Sequence, residues 1–367
     1  MFDFNTIQEY QIEITTYCNA ACPQCPRNIN GGPINPYLPL CHLERSVIDR
    51  AFGPDLCQQL HRVFFCGSYG DPIMHPHFLD ILRDFRSKNA GLWLYMHTNG
   101  GVHDRDYWRE IAQIMDGHGQ IDFGIDGLED TLGVYRQNVK FHKVIENATA
   151  FIQNGGRAQW NFIVFEHNEH QIDQVRDLAK ELGFHDVLIR HTGRFLDHTS
   201  LEELSEWSIY RTDRVLRPPR SSRFRNRSLT DLPDLKRQYP DIKQYFDTTP
   251  ITCDALLGHK VAVNAEGLVL PCNFFNHNLY DARFHDGSLP GANQYHQPNG
   301  RNQVRDFLET YGLDNLNLTH RSLEDIFQNQ FWKDLVASWN DHRRLFECAF
   351  TCGQKFTKVW DQGGSKR

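Results

Sequence analysis

The chain has 367 residues, 40% hydrophobic and 23% charged, a balance that belongs to a globular protein of about two domains. Its 39 Lys and Arg stand against 46 Asp and Glu, a net charge of −7, which excludes a surface given over wholly to nucleic acid or membrane. No apolar run reaches the roughly 18–20 residues that span a bilayer, and the start, Met1 to Thr6, lacks a basic-then-apolar targeting segment, so the chain reads as cytoplasmic with no membrane partner.

From residue 10 to about residue 192, short β-rich runs alternate with segments of helical period. The predicted strands are Tyr10–Thr15, His61–Cys66, Leu92–His97, Gln120–Ile125, Gln159–Phe165 and Asp186–His191. Two intervening helices carry clear apolar stripes: Val144, Ile145, Ala148, Phe151 and Ile152, then Ile172, Val175, Leu178, Ala179 and Leu182. The pattern is α/β, six βα units that fold either as a barrel-like or as an open doubly wound parallel sheet. From Leu201 to about Pro250 the alternation stops. Seven arginines fall between Arg211 and Arg227 with only Asp213 opposing them, interrupted by Pro218 and Pro219. This stretch reads as a linker or solvated helix, with an anionic-substrate or RNA contact as the alternative. Beyond Ile251, Lys260–Asn264 and Leu268–Pro271 predict a β-hairpin, and Leu323–Trp339 an amphipathic helix.

Ten cysteines are too few for a disulfide scaffold, yet seven fall in two groups with short spacings. In a reducing compartment that favours metal over disulfides. Cys41, Cys57 and Cys66 are isolated and read as small buried hydrophobes. Cys66, ending the second strand, has a second reading as a hydrogen-atom donor. The first group, Cys18, Cys22 and Cys25, comes directly after the first strand. Three thiolates on one loop can hold three irons of a [4Fe–4S] cluster and leave the fourth iron open to a ligand. A zinc site with a distant fourth ligand is the alternative. In parallel α/β folds, ligands collect at the carboxyl ends of strands. Here the second strand is followed by Gly67-Ser68-Tyr69-Gly70-Asp71-Pro72, the third by Thr98-Asn99-Gly100-Gly101 and the fourth by Asp126-Gly127. Glycines at such ends let the backbone approach a ligand. His97, His167 and His191 also lie at or just after strand ends and can face substrate or take a proton, although hydrogen-bonded structural roles are the commoner use of histidine.

The Cys-x3-Cys-x2-Cys loop after the first strand resembles the signature of the radical S-adenosylmethionine superfamily, and the resemblance covers roughly residues 8 to 195. It implies a partial (β/α)6 barrel in which Cys18, Cys22 and Cys25 bind the cluster and the open iron chelates S-adenosylmethionine. Gly67, Ser68, Tyr69, Gly70 and Asp71 are similar to the family's Gly-Gly-Glu-Pro loop for the methionyl amine, with Asp71 where Glu is usual. Asn99 lies in the adjoining turn of the same rim. Asp126, in Gly124-Ile125-Asp126-Gly127, resembles the Ser-Ile-Asp-Gly run near the ribose, with Gly124 in place of serine. Arg136 looks like the arginine that pairs with the methionyl carboxylate, a task its guanidinium suits. Gln24 stands where the family commonly has an aromatic residue.

The second group is Cys253, Cys272, Cys348 and Cys352, a complete tetrahedral set suited to a [4Fe–4S] cluster or to zinc. The order Cys253, hairpin Gly267, Cys272 is similar to the SPASM/twitch extension of the same superfamily, and four cysteines resemble its shorter, single-cluster form. The resemblance implies three segments: the barrel over 1–197, an Arg-rich bridge over 198–250 and a small α+β auxiliary-cluster domain over 251–367. It further implies hydrogen abstraction from a peptide or amino-acid-derived substrate, with the auxiliary cluster aiding oxidation or bond formation, and an external electron donor such as flavodoxin or ferredoxin. About nine residues precede the first strand, so the expectation is that a separate partner presents a peptide or that the substrate is small. The alternatives are an RNA-modifying enzyme of the same superfamily, using the Arg-rich stretch, and a non-catalytic iron–sulfur or zinc scaffold.

Overall fold

Six parallel strands form where the alternation predicts them: β1 (Glu9–Ile12), β2 (Arg62–Phe65), β3 (Trp93–Thr98), β4 (Gly119–Gly124), β5 (Ala158–Ile163) and β6 (Asp186–Arg190). The computed structural model describes residues 1–29, 31–197, 202–203, 207–208, 215–227, 232–238, 242–280, 302–341 and 344–353. Strands β1 to β6 lie side by side in chain order. A doubly wound sheet reverses its strand order at a switch point. No reversal occurs here, so the sheet is a partial barrel, and the carboxyl ends of all six strands share one rim.

The connecting helices are α1 (Arg45–Ala51), α2 (Pro54–Gln59), α3 (Phe78–Lys88), α4 (Arg105–Met115), α5 (Leu132–Tyr135), α6 (Phe141–Gln153) and α7 (Ile172–Leu182). One face of strands β1 to β5 supplies the core: Tyr10, Ile12, Val63, Phe65, Leu94, Met96, Ile121, Phe123, Trp160 and Phe162 have no exposed surface. Helical residues of the predicted stripes, Val144, Ala148, Phe151, Val175 and Ala179, are buried with them. Because side chains alternate across a strand, the opposite face carries Gln11, Phe64, Tyr95, His97, Asp122, Asn161 and Arg190. That concave side is polar where the outer side is apolar.

The predicted hairpin forms as β7 (Lys260–Val263) and β8 (Val269–Leu270), but it does not stand apart. Strand β7 pairs in parallel with β1, Glu9 opposite Lys260 through Ile12 opposite Val263, and the sheet becomes eight strands in the order β8-β7-β1-β2-β3-β4-β5-β6. The pairing covers what would be an open edge at β1 and buries Val261, Val263, Val269 and Leu270. The sheet therefore runs across residue 251, where the sequence suggests a boundary.

Short helices follow the barrel at Leu232–Gln238, Ile242–Thr248 and Asp254–Leu257, and after the hairpin come α8 (Asn273–Tyr280), α9 (Gln303–Tyr311), α10 (Leu323–Gln328), α11 (Phe331–Ser338) and α12 (Phe346–Cys352). The single helix expected over Leu323–Trp339 is two. Asn329 is extended (φ −62°, ψ 140°), its Oδ1 accepts the Phe331 N–H at 2.9 Å, and the Trp332 indole donates to the Ile326 carbonyl at 2.8 Å. The break lets the Trp332 ring stack on Phe327, centroids 4.9 Å apart, an aromatic contact a straight helix would not make. Of the Arg-rich stretch, Arg211 and Arg214 lie outside the described residues. Arg217 and Arg220 pair with Glu166 at 3.8 and 2.5 Å, and Arg225 donates to the Pro219 carbonyl at 2.9 Å. Among the described residues no helix is long and apolar enough to cross a membrane.

Trp160 ties this core to the rim, since its indole donates to the Ile125 carbonyl at 2.8 Å, one residue before Asp126. Trp160→Ala is expected to cost about 3–5 kcal/mol, read as a lower urea midpoint at unchanged m-value. A loss below about 1 kcal/mol would contradict this account of the core.

Candidate functional site

The loop after β1 carries the first thiols. It is closed by the Cys25 N–H on the Cys22 carbonyl at 3.0 Å and by Arg27 Nε on the Thr16 carbonyl at 3.0 Å. Cys22 is buried, and Cys18 and Cys25 are half-buried. Burial raises Cys18 well above the usual thiol range, with Asp71, Cys22 and Cys25 adding to it, and pushes Cys22 up to about 11 against the opposing pull of Arg136. The three thiols thus lie within electrostatic reach of one another. N–H groups are aimed at their sulfurs: Ala20 N at 3.4 Å and Asn99 Nδ2 at 3.7 Å from Cys18, and Arg136 Nη1 at 3.7 Å from Cys22. Among the described residues no three metal-binding side chains converge tightly enough for one bare ion. The donor set, three thiols with N–H groups on two of their sulfurs, suits an iron–sulfur cluster, whose binding would displace the thiol protons.

The loop after β2 lies against β1 with no room to spare. A Cβ at Gly70 would fall 1.9 Å from the Thr15 carbonyl oxygen, so only glycine fits there. Its amides are gathered by Glu13, a fully buried carboxylate in the run that continues β1. Glu13 Oε1 accepts from Tyr69 N at 2.6 Å and Gly70 N at 3.1 Å, and Oε2 accepts from Asn276 Nδ2 at 2.5 Å. Asp71 is buried as well, and its Oδ2 accepts from Asn99 N at 2.9 Å, Asn99 Nδ2 at 2.7 Å and Thr98 Oγ1 at 3.0 Å. Burial raises its carboxyl and these bonds oppose the rise. Asn99 therefore bridges Asp71 and Cys18, which links the second and third strand ends to the thiol loop.

Asp126 and Arg136 meet at the fourth strand end. Arg136 Nε donates to Asp126 Oδ2 at 2.6 Å, and Asp126 Oδ1 accepts the Ile163 N–H at 2.6 Å. Burial works against charge on the guanidinium, but Asp126 and Cys22 outweigh it and hold Arg136 protonated. Gly124 has a steric reason: a Cβ there would sit 2.4 Å from Arg136 Nη2. The resemblance assigns Asp126 and Arg136 to opposite ends of the cofactor, and the structure joins them in one buried ion pair beside Cys22.

The second thiol set also assembles. Cys253 precedes the helical turn Asp254–Leu257, Cys272 precedes α8, and Cys348 and Cys352 lie one turn apart on α12. The Thr252 N–H on the Cys352 carbonyl at 2.9 Å ties two of these segments together. A hydrogen bond from Cys352 lowers the Cys253 thiol against the effect of burial, while burial, reinforced by Cys253, pushes Cys272 up to about 12. Burial and the neighbouring Cys272 and Cys253 raise Cys348.

Of the three histidines at strand ends, His97 faces the concave side, with Nε2 3.1 Å from Asp122 Oδ2 and 2.8 Å from the Tyr95 hydroxyl. His167 stacks on Phe165 and His191 meets Phe224 edge-on. Cys57 is a buried core residue as expected, whereas Cys41 is only half-buried. Cys66 Sγ accepts from Gln11 Nε2 at 2.8 Å and Asn273 Nδ2 at 3.1 Å, and burial pushes its thiol up to about 12. Gln24 is buried, and its Oε1 accepts from Thr192 Oγ1 at 3.4 Å. Sequence reasoning missed Glu13, Asn276, Tyr95 and Asp122. The one signal for Glu13 was a carboxylate flanked by Ile12 and Ile14 in a strand run.

Residues 12–182 match the family model described as Radical SAM superfamily. No curated protein matches the chain. Among solved structures, native anSMEcpe with bound AdoMet is 14% identical, with a TM-score of 0.54 over 96% of this chain and 95% of that one. The same enzyme with AdoMet and the Cp18Cys peptide is 14% identical, with a TM-score of 0.52 over 91% and 84%. Streptococcus suis SuiB bound to S-adenosylmethionine is 14% identical with a TM-score of 0.47 over 73% of this chain, which spans 61% of the length of SuiB.

Glu13 gives the site a pH signature. Burial, opposed by hydrogen bonds from Tyr69, Gly70, Asn276 and Ser68, raises its carboxyl from 4.5 to about 7. The nearby thiols Cys41 and Cys66, at about 11 and 12, stay protonated throughout that range. Folding therefore favours protonated Glu13, a contribution that is full below pH 4.5 and lost as pH rises through about 7. Relative to Glu13→Gln, which cannot ionise, the wild type is expected to lose about 3 kcal/mol between about pH 4 and pH 8 in a urea-denaturation series. A difference that stays flat with pH would contradict the shift.

Proposed function

We propose that this chain, whose residues 12–182 form a radical SAM superfamily domain, reductively cleaves S-adenosylmethionine and uses the radical to take hydrogen from a peptide or amino-acid-derived substrate. The observation that carries this reading is the strand-end rim. Three thiols stand on one loop, with N–H donors from Asn99 and Arg136 aimed at two of them. Cys18, Cys22 and Cys25 would hold a [4Fe–4S] cluster, which would supply the electron for reductive cleavage of bound S-adenosylmethionine.

The chain's own residues bind and orient. Gly67 to Asp71 present backbone at the second strand end, where Glu13 fixes the Tyr69 and Gly70 amides. Asp71 and Asn99 fix the adjoining turn, and Arg136, held by Asp126, offers positive charge for a carboxylate. The polar concave face, with Gln11, Tyr95, His97, Asp122, Asn161 and Arg190, suits a substrate rich in amide and carboxylate groups and holds one C–H bond in place. A peptide substrate agrees with the peptide seen bound to the fold relative anSMEcpe.

Cys253, Cys272, Cys348 and Cys352 form the second site of this reading: they would hold an auxiliary iron–sulfur cluster, which would supply a one-electron acceptor for net oxidation of the substrate. The working division is a barrel over 1–197, a bridge over 198–250 and an auxiliary segment over 251–367 whose hairpin extends the barrel's sheet past β1, with a flavodoxin- or ferredoxin-like donor supplying the first electron.

Anaerobic reconstitution with iron and sulfide, followed by dithionite and S-adenosylmethionine, tests this. The wild type is expected to hold about eight irons per chain and to release 5′-deoxyadenosine. Replacing Cys18, Cys22 and Cys25 by Ala should leave about four irons and abolish 5′-deoxyadenosine. Replacing Cys253, Cys272, Cys348 and Cys352 should also leave about four irons but spare cleavage at saturating S-adenosylmethionine. Undiminished cleavage without the first three cysteines would sink the assignment.

A further inference from the structure

We propose that Glu13 and Asn276 are positioning residues that join the helix behind Cys272 to the loop Gly67–Asp71, so that loading the second thiol set tightens S-adenosylmethionine binding at the first. The inference rests on the reading above, in which that loop holds the cofactor.

Helix α8 begins immediately after Cys272, and its first two turns are bonded to the barrel through several polar groups. Asn273 Nδ2 donates to Cys66 Sγ at 3.1 Å, at the end of β2. Asn276 Nδ2 donates to Glu13 Oε2 at 2.5 Å, and the Tyr69 hydroxyl lies 3.1 Å from the Asn276 carbonyl and 2.7 Å from that of His277. The far end of the helix is held as well: Asn35 Nδ2, from the segment after the first thiols, donates to the Tyr280 carbonyl at 2.5 Å. On its other side, Asn278 Nδ2 donates to Glu347 Oε2 at 2.6 Å, next to Cys348. One helix thus touches the cofactor loop, the segment that follows the first thiols and two segments of the second thiol set.

The polarity of the link is fixed from the backbone outward. The Glu266 and Leu268 N–H groups of the β7–β8 turn donate to Asn264 Oδ1 at 3.1 and 2.9 Å, so the Asn264 amide cannot flip. Its Nδ2 therefore points at Asn276 Oδ1, 3.2 Å away, and Asn276 in turn must present its Nδ2 to Glu13. Glu13 Oε1 remains for the Tyr69 and Gly70 amides. Each member has one allowed orientation, and a buried mismatch cannot be relieved by rotating an amide. A cluster bound through Cys272 would anchor the start of α8, and this chain of bonds would carry that constraint to the loop.

The test is S-adenosylmethionine affinity, measured by equilibrium dialysis on the anaerobically reconstituted full chain, together with the change that S-adenosylmethionine makes in the EPR signal of the reduced first cluster. Glu13→Gln sets two NH2 groups against each other, and Asn276→Asp sets two carboxylates against each other. Each should weaken binding roughly tenfold or more. The double variant Glu13→Gln/Asn276→Asp restores a donor facing an acceptor and should return to within about threefold of wild type with the wild-type EPR change. Cys272→Ser, with iron confirmed at the first site, should weaken binding, and its effect should shrink when Glu13→Gln is already present. The proposal is overturned if Cys272→Ser binds as tightly as wild type, or if the polarity swap is as weak as the two single variants combined. A wild-type chain that binds no S-adenosylmethionine would instead overturn the reading on which the proposal rests.

Discussion

The parallel pairing of Lys260–Val263 with Glu9–Ile12 is the constraint on which the rest of the site depends. It brings a strand from late in the chain alongside the strand that leads into the first thiols, and the Glu13 N–H donates to the Val263 carbonyl at 2.8 Å. Because the strands are parallel, both point their carboxyl ends at the same rim. Asn264, the turn, Cys272 and α8 come after β7 in the chain and are therefore delivered to the mouth of the barrel.

The second physical theme is the cost of burying charge. Glu13, Asp71, Asp126 and Arg136 are all withdrawn from water at the strand ends. Such groups persist only when paired or hydrogen-bonded on every side. Here the partners are the loops themselves: the Tyr69 and Gly70 amides on Glu13, the Thr98 and Asn99 groups on Asp71, and the Ile163 amide and Arg136 on Asp126. The loops at the strand ends are thereby fixed by polar contacts, which is the preorganisation that the proposed cofactor site requires. The opposite sheet face, apolar and fully buried, carries the stability that this polar rim consumes.

Much of this was legible in the sequence because it is local. Strand alternation and the apolar stripes of α6 and α7 are patterns within short windows, and these elements form where the pattern puts them; the spacing of Cys18, Cys22 and Cys25 is equally local. What was not legible is long-range. The hairpin over 260–271 was readable as a hairpin, but its partner, some 250 residues earlier, was not. The expected helix over Leu323–Trp339 has the apolar period of one element, yet an asparagine side chain capping its own neighbour at Asn329 divides it. Gly124, where the resembling family has serine, owes its place to Arg136, which occupies the space above it from twelve residues later in the chain. Asn276 has no sequence signature, because its role exists only through Glu13, 263 residues away.

The central claim is that the first three thiols leave one metal coordination position to S-adenosylmethionine. Electron–nuclear double resonance on the reduced, reconstituted protein with S-adenosylmethionine carrying ¹⁵N at its amino group tests it most directly. The account predicts a ¹⁵N coupling to the first cluster that is absent with unlabelled cofactor and unchanged when Cys253, Cys272, Cys348 and Cys352 are replaced and the cofactor is saturating. Bound S-adenosylmethionine with no ¹⁵N coupling would contradict it, since the cofactor would then sit in the barrel without touching the metal.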